Sequence, residues 1–206
     1  MLEQSKNTPT WQIVVITTIF VLGIYSWLSP PVIAPAKVLD APAVAIPQTP
    51  IYTLGMPIKS IIENINKKDT AFKINQFDLT KNKDGFLQAT HQFNDMLAII
   101  GIVNSQDQSA RSITLAMAVG GDTQLEKVEA MMDIPLLISI TMQAINPDVD
   151  KKIIGKISLD LVAAASDVHD KINIKKLNGN SYSLAYSSDF KSYIFQAVPG
   201  NLPQDN

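Results

Sequence analysis

No cysteine occurs in the chain, which excludes disulfides, thiol nucleophiles, thiolate metal sites and a lipid-modified cysteine at an export boundary. Histidine is almost as scarce. His91 and His169 are the only two, too few for the usual histidine-based zinc sites. Charge is thin as well, at 17% of residues, where a typical domain carries about a quarter. Part of the shortfall lies in residues 11–58, where Lys37 and Asp40 are the only charged side chains. A formal net charge of -2 gives no electrostatic case for a nucleic-acid partner or for anionic lipid headgroups. No Gly-x-Ser-x-Gly turn and no phosphate-cradling glycine loop occurs, so no catalytic, cofactor-binding or metal residues are assigned.

What is present begins with an apolar N-terminal run. Residues 13–28 carry no charge, and Trp11 and Trp27 flank them in the manner of interfacial aromatics. A helix from Trp11 to Leu28 would be about 27 Å long, enough for a thin bilayer. The expected arrangement is a short cytoplasmic tail (1–10), a transmembrane anchor (11–28) and export of the remainder. The competing reading is a cleaved signal peptide with small-residue sites near Ala36 and Ala43, which also exports the chain. Residues 29–50 then hold Pro30, Pro31, Pro35, Pro42, Pro47 and Pro50 among alanine and valine. Such a segment favours extended polyproline geometry and acts as a semi-rigid tether of about 3.1 Å per residue.

Residues 51–200 carry the patterning of one globular α+β domain, and 201–206 read as a disordered tail. Ile58, Ile61, Ile62 and Ile65 recur at helical spacing behind Pro57. A meander of four strands follows. Phe72, Ile74, Phe77 and Leu79 mark the first strand, with a phase slip that suggests a bulge. Leu87, Ala89, His91 and Phe93 mark the second, after an Asp84-Gly85 turn. Met96–Val103 is the third, and Ile113, Leu115, Met117 and Val119 alternate in the fourth.

Thr123 and Glu126 form a capping box ahead of a long helix through Ile145, with Pro135 inside it. Its uncharged stretch 134–145 is expected to be buried on most sides. Asp148 or Asp150 caps a second long helix, with Ile153, Ile154, Ile157, Leu161 and Ala165 on its apolar stripe. Three short strands close the domain. Ile172 and Ile174 mark the first, Tyr182, Leu184 and Tyr186 the second after an Asn178-Gly179 hairpin, and Tyr193, Phe195 and Ala197 the third. The fold class is a mainly antiparallel sheet, four-strand meander plus three C-terminal strands, covered by a two-helix layer.

Few residues carry chemistry. Asp167, His169 and Asp170 cluster in sequence but read as the solvated end of a helix. His91 on an apolar strand face reads as a hydrogen-bonded packing residue. Met131, Met132 and Met142 could line a pocket for an apolar ligand, or simply fill the core. Tyr182, Tyr186, Tyr193 and Phe195 could form an exposed aromatic face for a partner, or pack beneath the helices. The resulting expectation is a non-enzymatic, single-pass inner-membrane protein whose exported domain binds another envelope protein. Strand addition at the edge of a sheet whose last strand lies near the C-terminus is one available mode. An exported binder of lipid or another apolar ligand is the second reading, and a hydrolase with a dispersed site the third.

Overall fold

The computed structural model describes residues 52–68, 72–81, 86–119, 124–167 and 171–200; the side chains of 124–131 and of Asp167 fall outside that description. The expected tail, anchor, tether and C-terminal end lie outside the described residues. So do the Asp84-Gly85 turn and the Thr123 cap. Among the described residues no helix is long and apolar enough to cross a membrane.

The elements follow the expected order. Helix α1 (Ile58–Asn66) precedes β1 (Asp78–Lys81), β2 (Leu87–Asn94), β3 (Leu97–Val103) and β4 (Ala110–Ala118). Helices α2 (Gln124–Ile145) and α3 (Lys151–Asp167) come next, then β5 (Asn173–Leu177), β6 (Asn180–Ser187) and β7 (Ser192–Pro199). The strands form one antiparallel sheet in the order β1-β2-β3-β4-β7-β6-β5. Residues 52–201 belong to one compact unit. The last strand in sequence therefore lies inside the sheet, between β4 and β6. This corrects the expectation that it would offer an edge: the edges are β1 and β5.

Register separates the two faces. One row across all seven strands reads Leu79, Ala89, Gly101, Ile113, Ala197, Tyr182, Lys175. The helices lie on this face. Ile58 of α1 abuts Gly101, where a Cβ would come within 2.9 Å of Ile58 Cδ1. Asn146, just beyond α2, reaches Tyr182, and Ser166 of α3 meets Tyr193. The small residues at Ala89, Gly101 and Ala197 leave depth for aliphatic side chains of the helical layer, so the centre of the sheet can be approached closely. The opposite row reads Asp78, Thr90, Ile100, Thr114, Gln196, Ser183, Ile174. No described helix lies over it, and Ile100, Thr114 and Gln196 are nonetheless buried. Strand β4 is thus buried on both faces.

The first strand is shorter than its pattern predicts. Phe72 and Ile74 are buried but precede β1, whose four residues are all exposed. Asn66 at the end of α1 explains this locally. Its Nδ2 donates to the Ile74 carbonyl at 2.9 Å, and its Oδ1 accepts from the Ile74 amide at 2.8 Å. One side-chain amide thus satisfies both backbone groups that a sheet ladder would otherwise have to pair.

Helix α2 continues through Pro135, and from Leu137 to Ile145 all but Ser139 are buried. Ser158 of α3 donates to the Pro135 carbonyl at 2.7 Å and ties the two helices together. Asp150 caps α3 by accepting from the Lys152 amide at 2.8 Å. Gln143 closes the α2–α3 turn, its Nε2 donating toward the carbonyls of Asn146, Val149 and Pro147. At the Asn178-Gly179 turn both residues have positive φ, 49° and 74°, as the hairpin signal requires.

Thr141 of α2 buries a hydroxyl that has no hydrogen-bond partner among the described residues. A buried unpaired hydroxyl costs stability, and valine has nearly its shape. Thr141→Val is expected to raise stability by about 1 kcal/mol, read from the urea midpoint at constant slope. A loss of similar size would show that the hydroxyl is paired in solution.

Candidate interaction surface

The four aromatic residues considered for a partner surface all stand on the helix-covered face. Tyr182 and Phe195 are 0% exposed, and their rings stack with centroids 6.2 Å apart. Tyr193 is buried, its hydroxyl 3.0 Å from Ser166 Oγ, and its ring tilts against the half-buried Tyr186 at 4.9 Å. This corrects the expectation of an exposed aromatic face: these rings pack the core. The physical reason is the position of β7, which places every inward residue of β6 and β7 beneath the helical layer.

Tyr182 makes the main polar contact of this core. Asn146 Nδ2 donates to its hydroxyl at 2.7 Å. Burial pushes the Tyr182 pKa above the usual 10.0, against the hydrogen bonds from Asn146 and Asn180. The sign follows from linkage. The unfolded chain releases this proton near pH 10 while the folded chain retains it, so its contribution is fully present below pH 10 and lost as pH rises above it. Tyr182→Phe is expected to flatten the alkaline loss of stability, measured by denaturation at a series of pH values. An unchanged alkaline slope would mean that other groups carry it.

The three methionines do not converge. Met142 is sealed in the core, Met132 is 69% exposed on the outer side of α2, and the Met131 side chain lies outside the described residues. An open cleft of about 600 Å³ does occur, but Leu54, Gly55, Leu177, Gly179 and Gly200 line it, away from the methionines.

His91 is half-buried on the helix-facing side of β2. Its Nδ1 lies 3.0 Å from the Gln76 carbonyl and so donates to it. Its ring packs edge-on against Phe93 at 4.9 Å and tilts against Phe77 at 6.2 Å. It is engaged as a packing group. His169, Asp170 and the Asp167 side chain lie outside the described residues. Among the described residues no group of three or more metal-ligating side chains is assembled.

The edge strand β5 is where exposed apolar and charged side chains meet. Ile172 and Ile174 are 50% and 56% exposed. Their alternation correctly marked a strand, in which Asn173, Lys175 and Leu177 are the residues turned toward the helices. Lys175 and Lys176 on β5 and Lys171 just ahead of it are exposed. Asp160 of α3 is the acid beside them, its Oδ2 2.8 Å from Lys156 Nζ and 4.0 Å from Lys175 Nζ. The hydrogen bond from Lys156 holds the Asp160 pKa below its ordinary value. The run Lys171-Ile-Asn-Ile-Lys-Lys176 was visible in the sequence, but which of its side chains face outward depends on strand pairing. No family model, curated protein or solved structure matches the chain.

Proposed function

We propose that this chain is a membrane-tethered envelope protein of the inner membrane, without enzymatic activity, whose exported domain binds another protein in an accessory or scaffold role. The observation that supports it is the β5 edge, where Ile172 and Ile174 stand exposed among lysines at the open margin of the sheet. Two neighbouring exposed isoleucines on an unpaired edge make a small apolar patch with a polar rim, the composition an interface uses. The uncharged run between Trp11 and Trp27 supports the tether.

The test is to wash native membranes with carbonate, extract the retained full-length chain in mild detergent and weigh it intact. The reading expects retention and a complex with a second protein chain. Release into the wash with a new N-terminus near Ala36 or Ala43 would replace the anchor by a signal peptide. A lone chain carrying an extractable lipid would replace protein binding by ligand carriage.

A further inference from the structure

We propose that the β5 edge receives an extended acidic segment of a partner protein by strand addition. This rests on the interaction reading and names the chemistry of its partner. β5 is outermost in the sheet, so on the side away from β6 its backbone N–H and C=O groups have no ladder partner among the described residues. Such groups are the main-chain half of a strand-addition site.

The side chains supply the other half. Ile174 stands on the face without helices, in register with Ser183, and Lys175 stands on the helix face, in register with Tyr182. An added strand with aliphatic side chains on one face and carboxylates on the other meets Ile174 with the first and Lys175 with the second, with Ile172 and Lys171 exposed just ahead of the strand. Charge selects the same partner. Lys175 and Lys176 stand exposed on β5, whose residues Asn173–Leu177 include no carboxylate, and only Lys175 has an acid near it among the described residues, Asp160 at 4.0 Å, which Lys156 also engages at 2.8 Å. Lysines on an edge also prevent β5 of one copy from pairing with β5 of another, because they would oppose lysine to lysine. The device that blocks self-association therefore favours an acidic strand. The other edge lacks this character: β1 mixes Asp78 with Lys81 and spans only four residues. The second face of the sheet is buried at its centre and offers no comparable free surface.

The probe is a capped synthetic peptide alternating glutamate with valine, added to the full-length chain in detergent and followed by fluorescence anisotropy and amide exchange. The expected result is saturable binding with new protection confined to Asn173–Leu177. The double variant Lys171→Glu, Lys175→Glu, confirmed as folded by its melt, should weaken binding by at least about tenfold. The same peptide with its alternate amides N-methylated should not bind, because it cannot complete a ladder. Protection appearing at β1 instead, or an unchanged affinity in the double variant, would overturn the proposal. So would phosphatidylglycerol vesicles engaging Lys171 and Lys176 while the peptide does not, which would make the edge a lipid-facing patch. If the chain holds a protein partner in membranes and the double variant holds it equally well, strand addition fails while the interaction reading stands.

Discussion

Phe195→Ala is expected to destabilise the domain by about 3–5 kcal/mol, a large share of the roughly 5–15 kcal/mol that holds a typical domain folded. Phe195 is fully buried on β7, in register with Leu115 on one side and Leu184 on the other. It stands where the two strand sets join, and its ring stacks on Tyr182. Truncation removes apolar contact, leaves a cavity that a sheet centre cannot collapse, and forfeits the aromatic pair. Urea denaturation should show a lower midpoint with an unchanged slope. Truncating the exposed Leu79 on β1 should cost less than about 0.5 kcal/mol in the same assay. A small effect at Phe195 would mean that β7 is not an interior strand.

Asn146→Ala is expected to cost about 2 kcal/mol, because one substitution removes two buried hydrogen bonds. The two hydrogens of Asn146 Nδ2 go to the Met142 carbonyl at 2.7 Å and to the Tyr182 hydroxyl at 2.7 Å. The residue thereby closes the C-terminus of α2 and ties it to β6 in one step. Tyr182→Phe removes the second contact from the other side. A double-mutant cycle should therefore give a coupling of about 1 kcal/mol between the two positions. Strict additivity would show that the hydrogen bond contributes nothing to the folded state.

The sheet was legible where side chains obey a period of two and one face is apolar. β2, β4, β6 and β7 fall where alternation places them, β3 falls on the apolar run Met96–Val103, and Asn178-Gly179 makes its hairpin. The long helices were legible from aliphatic spacing and from the acidic cap at Asp150. Strand order was not, because nothing local in β7 says that it inserts beside β4. That choice is made by long-range burial of Phe195 and Tyr193, and it decided the fate of the aromatic residues. A tyrosine reads alike whether it serves a surface or a core, and only the neighbouring strand distinguishes the two. Phe72 and Ile74 misled for a related reason. Asn66 satisfies the Ile74 backbone from a helix end, an interaction without a periodic signature. At β5 the strand was legible and its outward face was not, since an edge strand can turn isoleucine outward where a central strand cannot.

Because Tyr182, Tyr193 and Phe195 are structural, substituting them cannot separate a binding protein from an enzyme; unfolding would mimic lost function in either case. Exposed positions can. A photoreactive residue placed at Ile174, and in separate chains at Leu79 and Leu159, each in the full-length protein in its native membrane, reports directly on what touches the domain. The account predicts a discrete adduct with one other protein from Ile174 and none from Leu79 or Leu159. No protein adduct from any of the three positions would contradict it.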